Sequence, residues 1–228
     1  MYRRKRVTAV ILAAGSGSRM KRDENKVYLP LGGQPVIRYS IEAFGQHFYI
    51  DDLILVIRPE EGPQMEALLE TMDFSKPVRI VSGGDTRQES VRKAIDGLKS
   101  PIVIIHDGAR PFIQARYRYI TECVEAMDRY DGAIVAVPVT EPIISAKGQA
   151  VQAEGERYAA QTPQCFHTKR LQRCHEKHKK SPGVTDDSNL LEREGYKVGI
   201  VIGDVFNIKI TTPLDLPVAE AYLSALEE

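Results

Sequence analysis

The chain has 228 residues and carries 31 Lys plus Arg against 31 Asp plus Glu, so its formal net charge at pH 7 is zero. That length suits one large α/β domain spanning 1–228, and the balanced charge leaves no basic field for nucleic acid or an anionic membrane. Cys123, Cys165 and Cys174 form no CxxC pair, which argues against a disulfide framework and for a reducing, cytoplasmic setting; no run approaches the ~20 apolar residues of a membrane span.

The first expected element is a buried strand over 7–13, a mostly apolar run. Arg3, Arg4, Lys5 and Arg6 before it imitate a short signal peptide, but the apolar stretch is at the short end for one. It runs directly into Leu12-Ala13-Ala14-Gly15-Ser16-Gly17-Ser18-Arg19-Met20, with Lys26 following, and cleavage there would destroy that loop. Two small glycines leave room for a phosphate chain against backbone N–H groups, and Arg19 and Lys26 bring positive charge from two sides. No Gly-Lys-Ser/Thr closes the loop as in a Walker motif, and no third glycine completes a dinucleotide fingerprint. A bare Gly-x-Gly is often only a flexible turn. With the strand before it and the cations after it, this one reads as a nucleoside triphosphate site.

Further strands are expected over 53–57, 78–82, 102–106, 132–138, 198–202 and 207–210. Helical patterns fill 35–44, 62–72, 86–98, 115–130, 168–178, 186–194 and 213–225. Several strands are apolar continuously, as when both faces are covered. The alternation predicts an α/β fold with a doubly wound, mostly parallel Rossmann-like sheet. Ligands of such sheets sit beyond the carboxyl ends of the strands, where the loops at 14–26, 83–90 and 106–111 converge. Residues 139–160 break the pattern and read as a surface hairpin around Lys147-Gly148.

Within this frame, Asp107 ends an apolar strand and either caps the next turn or holds a hard cation such as Mg²⁺ together with phosphate oxygens. Arg110 is a fold-stabilising ion-pair partner or a substrate contact. Gly83, Gly84, Asp85 and Ser90 form an ordinary turn and helix start, or let backbone reach a base edge. Lys209 shares one face of a β-like run with Asn207 and Thr211; a solvent-facing edge lysine is the plain alternative. Cys123 falls on an apolar helix side, whereas Cys165 could line a site. Cys174, His175 and His178 lie among six Lys and Arg residues and read as a solvated basic face rather than a metal site. Asp186 and Asp187 read as a helix cap with first-turn acid.

The loop at 12–20 with Lys26-Val-Tyr-Leu-Pro30 resembles the opening of the sugar-phosphate nucleotidyltransferases. Five more motifs follow in order: Gly83-Gly84-Asp85-x-Arg87-x-x-Ser90, His106-Asp107-Gly108-Ala109-Arg110-Pro111, Gln161-Thr162-Pro163-Gln164, Thr185-Asp186-Asp187 and Asn207-Ile208-Lys209-Ile210-Thr211. Together, from residue 12 to about 219, they resemble the 2-C-methyl-D-erythritol 4-phosphate cytidylyltransferases of non-mevalonate isoprenoid synthesis. The resemblance implies a nucleotidyltransferase-type sheet and transfer of a cytidylyl group from CTP to a sugar-alcohol phosphate. It implies nucleotide binding by Ala13, Ala14, Gly15, Ser16, Gly17, Gly84, Asp85 and Ser90, with the 83–90 loop on cytosine. Arg19, Lys26, Lys209 and Arg157 take catalytic roles in it. Asp107, Arg110, Thr162 and Thr140 bind the acceptor, and Asp107 also holds Mg²⁺. The segment 139–160 becomes a β-arm that clasps a second subunit in a homodimer.

Two departures fall on the acceptor side. Where the family reads Pro-Val-x-Asp-Thr-x-Lys, this chain has Pro142 at the threonine position and no lysine. The family's arm arginine is replaced by Glu154, with Arg157 the nearest arginine. The related ribitol-5-phosphate cytidylyltransferases share the Gln-Thr-Pro-Gln and Asn-Ile-Lys segments, so ribitol phosphate is an alternative acceptor. A non-catalytic nucleotide-binding paralogue is the non-enzymatic alternative.

Overall fold

The computed structural model describes residues 1–15, 25–142, 155–179 and 186–227. Elements follow in chain order: β1 (Val7–Leu12), a short ribbon of β2 (Pro30–Leu31) and β3 (Gln34–Pro35), α1 (Val36–Gln46), β4 (Asp52–Ile57), α2 (Gly62–Glu70), β5 (Val78–Ser82), α3 (Arg87–Ile95) and β6 (Ile102–Asp107). Then come α4 (Tyr117–Glu125), β7 (Gly132–Pro138), β8 (Tyr158–His167), α5 (Thr168–Lys177), α6 (Asp187–Arg193), β9 (Val198–Ile202) and α7 (Asp215–Glu227).

Seven strands form one sheet in the order β5-β4-β1-β6-β8-β7-β9. All neighbours are parallel except β8, which runs antiparallel to both β6 and β7. The unbroken apolar runs are explained by burial on two faces. In β1, Ala9 and Ile11 pack into one core layer and Val10 into the other. In β6, Ile102 and Ile104 likewise oppose Val103 and Ile105. Ile37 and Ile41 of α1, Met65 of α2 and Ile120 of α4 cover the first layer; Val91 of α3, Leu171 of α5 and Leu190 of α6 cover the second. The chain leaves β1 toward β4 and β5, then crosses to β6 on the other side of β1. That reversal opens a crevice at the carboxyl ends of β1, β4 and β6.

Two strand expectations need correction. Residues 207–210 form no strand. Their backbone is held by single bonds instead, Ile210 N–H to Ala109 C=O at 2.9 Å and Asn207 N–H to Asp204. Conversely, β8 was not foreseen, because Gln161, Thr162, Pro163 and Gln164 are poor residues for a central strand. It survives because the β7–β8 register shifts between Ile134 and Ala136, opposite those residues. The ladder there does not need the N–H that Pro163 lacks. The expected helix over 115–130 is α4 flanked by 3₁₀ turns at Pro111–Arg116 and Ala126–Asp128.

The flanks of the expected arm pair with each other: Pro138 lies opposite Tyr158, and Val139 N–H donates to Arg157 C=O at 2.8 Å. Residues 143–154, Glu154 included, lie outside the described residues, as does Thr185.

Candidate active site

A cavity of about 620 Å³ occupies the crevice at the switch point. Ala13, Ala14, Gly15, Lys26, Gly84, Asp85, Ser90, Asp107 and Lys209 all line it, so loops nearly 200 positions apart in sequence meet at one place. Ser16, Gly17 and Arg19 lie outside the described residues. Arg110 and Thr162 are not on the wall; both are buried behind Asp107. Thr140, which is exposed, and Arg157 sit on the arm flanks and do not line the cavity.

The first loop is pinned at both described ends. Ala13 N–H donates to Val56 C=O at 2.7 Å, and Asn25 Nδ2 donates to Ala13 C=O at 2.7 Å. Arg58 Nη2 donates to Gly15 C=O at 2.8 Å. Buried Glu61 accepts from Asn25 Nδ2 at 2.9 Å and from the Arg58 N–H at 3.2 Å, tying both pins to the turn after β4. Asn25 also caps the 3₁₀ turn Lys26–Tyr28, which fixes the backbone of Lys26. The second loop starts α3, with Thr86 as N-cap accepting from Glu89 N–H. Ser90 Oγ accepts from Gly84 N–H at 3.0 Å, and Glu89 accepts from Asp85 N–H at 3.1 Å. Gly83 must be glycine, because a Cβ there would overlap the Ala14 methyl; the two loops touch at that point.

Asp107 faces three cations. Lys209 Nζ donates to its Oδ2 at 2.8 Å, Arg87 Nε lies 3.6 Å from Oδ1, and Arg110 Nε lies 3.8 Å from Oδ2. Burial pushes this carboxyl up, but Arg87, Lys209 and Arg110 outweigh it and hold Asp107 well below the usual carboxylate range. Arg87 is itself anchored by Asp187 Oδ2, which accepts from Nη1 at 2.6 Å. Burial disfavours the Arg87 charge, yet Asp187 and Asp107 more than compensate. Asp187, besides opening α6, accepts from His175 Nε2 at 2.9 Å. His178 meets Glu194 at 2.7 Å. The α5 histidines therefore hold carboxylates, and the N-cap of α6 is Asp186, accepting from Asn189 N–H. Cys165 is fully buried in the core, where burial pushes its thiol up, so it lines no site.

Several wall residues carried no role in the sequence reading: Asn25, Arg58, Arg87 and Thr211. Arg58 was findable, since it directly follows an apolar strand that borders the switch point. Arg87 stood in a quoted motif without a function. Lys26, Arg58, Arg87 and Lys209 place positive charge on several sides of the cavity, with Asp107 among them. That arrangement accepts a polyanion and stabilises negative charge developing on phosphorus.

Comparison with known proteins agrees with this geometry. The sequence profile of the 2-C-methyl-D-erythritol 4-phosphate cytidylyltransferases matches residues 7–225. The enzyme of that name from Caldanaerobacter subterraneus is 44% identical over 95% of this chain and 98% of its own. The one from Geobacillus thermodenitrificans is 41% identical over 95% and 96%. The crystal structure of 4-diphosphocytidyl-2C-methyl-D-erythritol synthase from Anaerococcus prevotii superposes with a TM-score of 0.84 at 33% identity, covering 96% of each chain. The chain belongs to the 2-C-methyl-D-erythritol 4-phosphate cytidylyltransferase family.

Proposed function

We propose that the cavity joins CTP and 2-C-methyl-D-erythritol 4-phosphate, acting as the cytidylyltransferase of non-mevalonate isoprenoid synthesis. A phosphate oxygen of the acceptor attacks the α-phosphorus of CTP, the bond to the β-phosphate oxygen breaks, and pyrophosphate leaves. The observation that carries the reading is the convergence of Lys26, Arg58, Arg87 and Lys209 on one cavity at the switch point, around an ionised Asp107.

The triphosphate lies against the pinned 13–15 loop, with the 83–90 loop receiving the base through backbone and small side chains. Lys26, with Arg19 from the neighbouring segment, stabilises charge on the α-phosphate as it becomes five-coordinate. Lys209 orients the acceptor phosphate. That phosphate is already ionised near neutral pH, so no general base is required. Mg²⁺ fits the donor set: Oδ2 of Asp107 is committed to Lys209, whereas among the described residues Oδ1 has only the longer Arg87 contact. One carboxylate oxygen plus phosphate oxygens is a common environment for this ion. When bound there, Mg²⁺ supplies neutralisation of phosphate charge.

Residues 139–160 serve as the arm of a homodimer, with Arg157 reaching the partner's acceptor pocket. The three free, buried cysteines suit a reducing cytoplasm, and no helix among the described residues is long and apolar enough to cross a membrane. The deciding experiment is steady-state pyrophosphate release with CTP and Mg²⁺, offering methylerythritol phosphate and ribitol 5-phosphate in parallel. Turnover with the first supports the reading; turnover only with the second transfers the acceptor assignment, and none with either leaves a nucleotide-binding paralogue. For the arm, mixing Arg157→Ala with Lys26→Ala protein restores activity if sites are shared between subunits. A monomer by light scattering refutes sharing.

A further inference from the structure

Behind the cavity wall, a closed ring of hydrogen bonds through Thr162, His106, Arg110 and Asn207 holds Asp107 and ends two positions before Lys209, its ion-pair partner. Asp107 N–H donates to Thr162 Oγ1 at 3.0 Å, and Thr162 Oγ1 lies 3.1 Å from His106 Nδ1. His106 Nε2 lies 3.2 Å from Arg110 C=O. Arg110 Nη1 donates to Asn207 C=O at 2.6 Å, and Asn207 Nδ2 donates back to Thr162 C=O at 2.9 Å. His106, Thr162 and Asn207 are buried to within 3% of full exclusion from solvent.

The polarity of this ring is determined by its ends. A backbone carbonyl only accepts, so His106 Nε2 must carry hydrogen toward Arg110. A neutral imidazole then has a lone pair on Nδ1, which accepts the Thr162 hydroxyl hydrogen. The same hydroxyl oxygen is left to accept the Asp107 N–H. With the imidazole neutral every direction is fixed, and none leaves a Thr162 hydrogen for a ligand. The β6–β8 ladder stops at Ile105 opposite Gln164, so the threonine hydroxyl takes over where strand pairing ends. Through its carbonyl, the same residue also holds Asn207, two positions before Lys209.

We propose that His106 and Thr162 are positioning residues that set Asp107 and Lys209 relative to each other, with Arg110 closing the ring, and that Thr162 and Arg110 act without touching the acceptor. This rests on the cytidylyltransferase reading for its kinetic consequences only; the ring polarity stands apart from it. Displacing catalytic groups by about 1 Å lowers rates on the order of a hundredfold. The ring therefore acts on turnover rather than on acceptor binding.

The test has a spectroscopic and a kinetic arm. Two-bond ¹H–¹⁵N correlation of the labelled protein, with the His106 signals assigned by their loss in His106→Asn, is expected to show the Nε2–H tautomer. In Thr162→Val the Nδ1 resonance moves toward that of an unbonded nitrogen while the tautomer persists. An Nδ1–H tautomer, or a rapidly exchanging mixture, overturns the proposal. In steady-state assays Thr162→Val lowers kcat by about tenfold to a hundredfold, with the acceptor KM changed less than about threefold; Thr162→Ser recovers most of the loss. His106→Asn, whose amide oxygen mimics Nδ1, retains more activity than His106→Gln, which mimics Nε2. A raised acceptor KM with normal kcat in Thr162→Val shows direct contact and refutes the positioning role. Absence of turnover in the unaltered protein refutes the functional reading instead, while the tautomer still decides the ring.

Discussion

Replacing Asp187 with asparagine tests whether the far anchor of the site holds it together. Asp187 lies 100 positions from Arg87, accepts its Nη1 at 2.6 Å and accepts His175 Nε2 at 2.9 Å. Its own side chain is 1% exposed, whereas Arg87 is 29% exposed on the cavity side. Removing one member of a fully buried ion pair costs about 3–5 kcal/mol. Water in the cavity still solvates Arg87, and Asp107 remains near it, so the lower end applies, about 3 kcal/mol. For a domain of this size that corresponds to a fall in Tm of about 6–12 °C. Thermal denaturation followed by circular dichroism reads this directly, and a cycle with Arg87→Met isolates the pair. In the Arg87→Met background the second substitution should destabilise no further and should recover part of the loss, because it neutralises a buried carboxylate left with His175 as its partner. A Tm change under roughly 2 °C for Asp187→Asn alone would refute the buried-anchor reasoning.

Lys26→Ala should lower kcat by about two orders of magnitude, the scale of one lost preorganised contact, with CTP affinity falling less; normal turnover makes it a structural lysine. Gly83→Ala pushes the 83–90 loop off Ala14, and overpacking of about 1–3 kcal/mol, if carried into binding, weakens CTP affinity by about fivefold to 150-fold by calorimetry, so unchanged affinity shows the loops do not need that contact. His47 is lowered to about 4, first by burial and then by Lys76. Because the unfolded chain binds more protons there, stability is complete above about 6.5 and declines as pH falls from about 6.5 to about 4. His47→Gln should flatten the Tm–pH profile in that window, and an unchanged slope assigns the acid sensitivity elsewhere.

The sheet was legible where both faces of a strand are covered, since 102–105 and 132–138 then read as unbroken apolar runs. It was illegible at β8, whose Gln161, Thr162 and Gln164 are buried through partners far away in sequence: Asp204 C=O for Gln161, Asp107 N–H for Thr162 and Asp186 for Gln164. Local propensity contains none of those partners. The opposite error at 207–210 has the same origin. Alternation there looks like a strand, but Asn207 faces inward to serve the Thr162 and Gln161 oxygens rather than a ladder. In the site, the loops at 13–15 and 83–90 were readable because glycine and a following helix start carry a backbone meaning. Whether a charged side chain reaches the cavity was not readable. Arg58 does and Arg110 does not, although each is followed by proline after an apolar strand.

The difference between those two arginines explains how the cationic site stays assembled before any phosphate arrives. Lys26, Arg58, Arg87 and Lys209 repel one another, and a loose set would spread into solvent and pay reorganisation on each binding event. Here carboxylates hold three of them in place: Glu61 lies 3.7 Å from Arg58, Asp187 holds Arg87, and Asp107 holds Lys209; the backbone of Lys26 is fixed by the turn that Asn25 caps. Only Asp107 of these three acids lies on the cavity wall. Glu61 and Asp187 are thus buried counter-charges set behind the wall, out of direct reach of a ligand. Of the three, Asp107 is the carboxylate whose cations face the cavity, so under the proposed reaction an incoming phosphate competes with it for Lys209 and leaves the two anchors behind the wall unchanged in partner.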